Sequence, residues 1–187
     1  MRIAVYSGSF NPMHKGHLAI LRTLCKAADV DKIYLVISPV SPFKTGAGAP
    51  DGAVRAEAAG KVLSKHPELS GKVEINNIEL GMTPPHYTIR TLDALKASEP
   101  GNEFFLAIGA DNLESFPRWK DYRRILLEYG VAVYPRKGFH RGRLKSRLLK
   151  ENPSFKIRLL KAPLVNISST EIRQRLSGGA DISKFLM

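Results

Sequence analysis

Six consecutive apolar residues, Phe104-Phe105-Leu106-Ala107-Ile108-Gly109, constrain the fold more than any other feature of this 187-residue chain. A strand with one face in water alternates polar and apolar side chains. An unbroken apolar run of strand length is instead what a parallel sheet covered on both faces requires. The rest of the chain fits that demand. Strands are predicted at 2–6, 31–38, 72–79, 104–109, 131–134 and 157–160, with 164–167 as a further candidate. Helical patterns lie between them at 18–24, 53–66, 89–97, 119–129 and 143–150, and a terminal helix opens at 168–173. Thr88 is placed to cap the helix at 89–97. Strands alternating with helices predict an α/β chain with a doubly wound parallel sheet. No repeat, low-complexity tract or linker divides the sequence, so a single domain over 1–187 is expected.

In such Rossmann-like sheets ligands sit beyond the carboxyl ends of the strands. Residues 8–17, 38–44, 81–88, 109–119, 135–137 and 168–173 each follow a predicted strand, and they would converge on one crevice. The first is the most distinctive: Gly8-Ser9-Phe10-Asn11-Pro12-Met13-His14-Lys15-Gly16-His17. Gly8 allows a sharp turn and a close ligand approach, and Pro12 stiffens the loop. His14 and His17, three apart at the start of a helix, project to one side. A helix start offers unpaired N–H groups to an anion, and two imidazoles there suit a polyphosphate. The alternative is a pair of capping or surface histidines. Zinc is disfavoured, because His66, His86, His140 and Cys25 show no spacing that would complete a ligand set.

Composition narrows the class. With 43% apolar and 25% charged residues the chain is composed like a globular protein. No apolar run is long enough to span a bilayer, and Met1-Arg2 leads into a strand without a signal pattern, so the cytoplasm is the expected location. One cysteine, Cys25, excludes an internal disulfide and reads as a packing residue. The net charge of +12 raises nucleic acid as a partner. Ten Lys and Arg fall between Arg136 and Lys161 against one acid, Glu151, and supply nine of the twelve charges. Within that segment 143–150 reads as an amphipathic helix with a solvated basic face. Nucleic-acid contact is therefore disfavoured, though it stays open as a rival reading.

Taken together, these segments resemble the bacterial nicotinate-nucleotide adenylyltransferases of the nucleotidylyltransferase superfamily, which carries a His-x-Gly-His signature. Besides residues 8–17, His86-Tyr87-Thr88-Ile89-Arg90-Thr91-Leu92 is similar to the family's Tyr-Thr-x-x-Thr-Leu. Gly109-Ala110-Asp111-Asn112-Leu113 with Phe116 and Trp119 matches Gly-x-Asp-x-Leu-x-x-Phe-x-x-Trp. Pro135-Arg136-Lys137-Gly138 resembles the basic turn after the fifth strand, and Ile167-Ser168-Ser169-Thr170-Glu171-Ile172-Arg173 matches Ile-Ser-x-Thr-x-Ile-Arg. Asn11 stands where the family usually has Asp, Ser41-Pro42-Phe43-Lys44 replaces a common Pro-Pro-His-Lys, and Met187 ends the chain short of a further helix common in the family.

The resemblance implies adenylyl transfer from ATP to nicotinate mononucleotide, giving deamido-NAD and pyrophosphate without a covalent intermediate. His14, His17 and Arg173 would be catalytic. Gly8, Ser9, Phe10, Gly109, Asp111, Ile167, Ser168, Ser169 and Thr170 would complete the ATP site, with Asp111 on the ribose. Trp119 would stack on the pyridine ring, and Tyr87 and Thr88 would present backbone N–H groups to its carboxylate. Lys44 and Arg136 would meet the mononucleotide phosphate. Mg²⁺ would arrive on the ATP phosphates, with no protein ligand cage. Pantetheine-phosphate and nicotinamide-nucleotide adenylyltransferases are the alternatives within the superfamily. No membrane partner is expected, and a homo-oligomer is left open.

Overall fold

A computed structural model describes residues 1–39, 51–164 and 167–187. Six strands form one parallel sheet: β1 (Arg2–Gly8), β2 (Lys32–Ile37), β3 (Val73–Asn76), β4 (Glu103–Gly109), β5 (Val131–Tyr134) and β6 (Ile157–Leu159). Their order is β3-β2-β1-β4-β5-β6. The chain therefore runs outward in one direction from β1, then returns to start β4 on its other side. At that reversal the connections leaving β1 and β4 depart to opposite faces and open a crevice.

The two-residue period of the strands sorts their side chains onto two cores. Ile3, Val5, Tyr34, Val36, Phe104, Leu106, Ile108, Val131 and Val133 face one side. Ala4, Tyr6, Ile33, Leu35, Ile37, Phe105, Ala107, Ala132 and Tyr134 face the other. Both faces of β4 are thus dry, as its apolar run requires. Helix α1 (Lys15–Cys25) and α2 (Gly52–Leu63) cover the second face, while α3 (Thr88–Ser98), α4 (Ala110–Ser115) and later α6 (Arg141–Glu151) cover the first. Each fully buried Leu or Ile, such as Leu21, Leu35, Leu92 or Leu106, contributes about 1.5–3 kcal/mol of transfer free energy.

Three sequence expectations need correction. Thr88 does not cap α3: Tyr87, with extended backbone, occupies that position, and Thr88 is already the first helical residue. The pattern at 119–129 is not one helix. Trp119 ends a 3₁₀ turn at Phe116–Arg118, Asp121 adopts φ +52°, and only then does a short α5 (Tyr122–Arg124) run into a π-turn at Ile125–Tyr129. The strand expected at 72–79 stops at Asn76, whose side-chain Oδ1 accepts from the Ile78 N–H and starts a 3₁₀ turn over Ile78–Gly81. The basic segment behaves as expected: α6 buries Leu144 and Leu148 and exposes Arg143, Arg147 and Lys150. Among the described residues no helix is long and apolar enough to cross a membrane. The candidate strand at 164–167 falls partly outside the described residues, as does all of 40–50, including Lys44.

Candidate active site

The crevice at the carboxyl ends of β1, β4 and β5 is a cleft of about 860 Å³. Of the residues singled out from sequence, it is lined by Gly8, Ser9, Phe10, His14, His17, Tyr87, Thr88, Asp111, Trp119, Arg136, Ser168, Ser169 and Thr170. Gly109, Ile167 and Arg173 lie outside its lining but hold residues that form it.

At the heart of the cleft the two histidines cap α1 reciprocally. His14 is the N-cap, and its Nδ1 accepts from the Gly16 N–H at 3.1 Å. His17 Nδ1 in turn accepts from the His14 N–H at 3.2 Å, and the two rings stack with centroids 3.6 Å apart. Each Nδ1 therefore carries no proton, so each neutral ring is an Nε2–H donor. Burial keeps them neutral. His14 is 1% exposed, and burial, aided by the charge of Arg136, lowers its pKa to about 4. His17 is lowered well below its ordinary value by burial first, then by His14 and Arg136. This cap amends the sequence picture of the helix start. Gly16 N–H is used by His14 Nδ1 and His17 N–H by His14 C=O, so two of the amides at the helix start are already paired.

The loop between β1 and α1 is shaped by its own aromatic residue. Phe10 has φ +44° and folds back so that its ring would lie 3.2 Å from a Cβ at Gly8. A side chain at Gly8 would therefore press on the Phe10 ring, and Gly8 itself lines the cleft. The Phe10 ring also packs edge-on against His17 and Tyr6.

The start of α7 (Ser169–Ser177) docks on this loop. Ser168 caps the helix by accepting from the Glu171 N–H, Ser169 Oγ donates to Pro12 C=O at 3.2 Å, and Arg173 donates to Asn11 C=O at 2.7 Å and to Thr170 Oγ1 at 3.2 Å. Arg173 is therefore committed to the loop and to Thr170. Leu186 pairs with His14 as an isolated antiparallel bridge, and Lys15 Nζ donates to Lys184 C=O, so the last residues brace the same loop.

Asp111 and Arg136 lie side by side in the cleft, just past the ends of the neighbouring strands β4 and β5. Their Oδ1 and Nε are 3.6 Å apart, and both atoms are buried without a hydrogen bond. Arg136 also donates to Ile167 C=O at 3.0 Å and lies over the Tyr134 ring. That network places Arg136 beside Asp111 and the 167–170 segment, on the side of the cleft assigned from sequence to ATP. Asp111 folds back over Gly109, where any Cβ would stand 2.2 Å from Oδ1. Trp119 rests one side on Phe116, with centroids 4.8 Å apart, and lines the cleft. Tyr87 N–H is taken by Pro85 C=O, so Thr88, not Tyr87, brings the first uncommitted backbone N–H of α3.

Sequence reasoning missed Tyr6, Tyr134, Arg55 and Glu79. Arg55, 4% exposed, donates to Ser9 C=O at 2.7 Å and Pro39 C=O at 2.9 Å, joining the segments that leave β1 and β2. Nothing in its helical pattern distinguished it from a solvated arginine.

Comparison with known proteins decides the family. The cytidylyltransferase-like family model matches residues 5–175. A Bacteroides fragilis protein named "Probable nicotinate-nucleotide adenylyltransferase" is 36% identical over 185 residues, 99% of this chain and 87% of its own. The chain belongs to the nicotinate-nucleotide adenylyltransferase family. A Porphyromonas gingivalis member of the same name is 35% identical over 186 residues, covering all of this chain and 89% of its own. Among solved structures, Plasmodium falciparum nicotinic acid mononucleotide adenylyltransferase complexed with NaAD shares the fold, with a TM-score of 0.82 at 22% identity over 99% of this chain and 90% of that one. Family membership makes the protein a nucleotidyltransferase with a Rossmann-like fold.

Proposed function

We infer that the protein transfers the adenylyl group of ATP to nicotinate mononucleotide, releasing pyrophosphate and forming deamido-NAD. The observation that carries the chemistry is the reciprocal cap, which fixes both imidazoles as neutral Nε2–H donors at the switch point of the sheet. The acceptor's identity rests on the named relatives. A 5′-phosphate oxygen of the mononucleotide forms the new bond to Pα of ATP, and the bond from Pα to the bridging oxygen breaks as pyrophosphate leaves. Two polyanions must be brought together, so positioning and charge stabilisation dominate. His14 and His17 donate to the phosphates as negative charge shifts onto the leaving group. Ser168, Ser169 and Thr170, with Arg173 behind them, hold the distal phosphates. Asp111 keeps Oδ1 buried against Arg136 while its side chain is 44% exposed, and it accepts from the ribose hydroxyls through Oδ2.

Mg²⁺ enters as part of the nucleotide substrate, held by phosphate oxygens and water. Among the described residues no three His, Cys, Asp or Glu side chains converge as a metal cage. Trp119 and the start of α3 take the pyridine ring. Arg136 serves the ATP side through Asp111 and Ile167, and Lys44, outside the described residues, is left as the cation for the mononucleotide phosphate. The test is pyrophosphate release from ATP and Mg²⁺ with nicotinate mononucleotide, nicotinamide mononucleotide or phosphopantetheine offered separately. Release with nicotinate mononucleotide alone supports the assignment. Release only with phosphopantetheine would overturn it.

A further inference from the structure

Glu79 is a carboxylate buried to 2% exposure at the edge of the cleft, and the mechanism above does not use it. It sits in the 3₁₀ turn after β3, where the sequence offers only an Ile-Glu-Leu step. Among the described residues its carboxylate oxygens are bonded by three hydroxyls, from three separate segments. Ser38 Oγ, just past β2, donates to Oε2 at 2.6 Å. Thr91 Oγ1 of α3 donates to Oε1 at 2.8 Å, and Ser7 Oγ of β1 reaches the same oxygen at 3.4 Å.

Burying a carboxylate is costly unless hydrogen bonds compensate it. A structural pin alone could be made from neutral groups at lower cost. The charge adds something that neutral groups cannot. Each hydroxyl has a single proton, and a carboxylate can only accept, so Glu79 fixes the direction of all three bonds. Ser7 and Ser38 line the cleft, so they turn only lone pairs towards it. At Ser7 and Ser38 the cleft wall therefore accepts hydrogen bonds and does not donate them, with the Glu79 carboxylate directly behind it. A phosphate is disfavoured here, whereas ribose hydroxyls are suited to it.

The same residue roots the loop that leads into α3. Met82 N–H donates to Glu79 C=O, His86 Nε2 bonds Met82 C=O, and Arg90 donates to the carbonyls of Thr83 and Pro85. The segment from Glu79 to Thr91 is thus fastened at both ends before any ligand enters. On it ride His86, Tyr87 and Thr88, all lining the cleft.

We propose that Glu79 is the positioning residue of the mononucleotide half of the cleft: through Ser7, Ser38 and Thr91 it docks the start of α3 on the ends of β1 and β2 and presents an acceptor-only wall that turns the mononucleotide's phosphate away, towards the histidines. This rests on the assignment of nicotinate mononucleotide as acceptor. Glu79→Gln keeps the shape and removes the charge. It is expected to raise KM for nicotinate mononucleotide about tenfold, the scale of one lost charge-assisted hydrogen bond, while KM for ATP stays within about twofold. Equal rises in both KM values, or none in an active and folded variant, would overturn the proposal. Should Glu79→Gln not fold, Ser38→Ala and Thr91→Val carry the same test, and wild-type KM values in both overturn it. Hydrogen exchange reads the docking without substrate. The hydrogen-bonded amides of Arg90 and Thr91 should exchange about tenfold faster in Thr91→Val than in wild type, and unchanged exchange contradicts the docking role. A wild type that ignores nicotinate mononucleotide defeats the functional assignment, and exchange alone then decides the role of Glu79.

Discussion

Replacing His14 separates its two roles, because Asn can fill one and not the other. In the structure His14 caps α1 through Nδ1 and offers Nε2–H to the cleft. Asn is a good N-cap whose side-chain oxygen can accept from Gly16 N–H, whereas Ala has no acceptor; the difference is about 1 kcal/mol of stability. Both variants lose the ring stacked on His17 at 3.6 Å, worth about 0.5–1.5 kcal/mol. Neither restores the Nε2–H, so both should lose roughly 10²–10³ in kcat, the scale of a removed oxyanion donor. Thermal melts and pyrophosphate release at saturating substrates measure the two effects in the same samples. The expected pattern is His14→Asn more stable than His14→Ala by about 1 kcal/mol, with kcat equally reduced in both. A His14→Asn enzyme within about threefold of wild-type kcat would refute the donor role, given the magnitude expected for such a group.

The remaining predictions concern charge and close contact. The folded-state pKa of His14 lies at about 4, below its ordinary value of 6.5, so acid protonates the unfolded chain first. Its contribution to stability is complete above pH 6.5 and is lost as pH falls towards 4, by on the order of 3 kcal/mol. Denaturant titrations from pH 7 to 4 should show that slope in wild type and a shallower one in His14→Asn; equal slopes would contradict it. Arg136→Gln removes the second cause of the lowered His14 pKa and leaves burial, the first, so an NMR titration should find it raised yet still below 6.5, and an unmoved value would count against the influence of the Arg136 charge. Gly109→Ala sets a methyl 2.2 Å from Asp111 Oδ1 and 3.2 Å from the Tyr134 ring, so Asp111 must swing away. KM for ATP should rise by roughly tenfold, with KM for the mononucleotide little changed.

The fold was legible because β4 could satisfy its apolar run only in a doubly covered sheet, and because a crossover between parallel strands needs a helix. The cleft was legible where single motifs supply it: His14 with His17 and Asp111 lie within a few residues of a strand end, and Ser168 to Thr170 open a helix. What stayed hidden was tertiary. Glu79, Arg55, Ser7 and Ser38 are ordinary residues until four distant segments meet, and no local pattern marks them. The break between Trp119 and Tyr122 was also invisible, since the apolar spacing continues through Asp121 while its backbone does not. Thr88 misled by type: a threonine before an apolar run reads as a cap, but the extended Tyr87 holds that position.

Direct transfer within a ternary complex is the central claim, and exchange of labelled pyrophosphate into ATP tests it most directly. With ATP and Mg²⁺ alone no exchange should occur, because no side chain of the protein accepts the adenylyl group. Adding nicotinate mononucleotide should start the exchange, through reversal of deamido-NAD formation. Exchange at full rate without any mononucleotide would reveal an adenylylated residue and contradict the account.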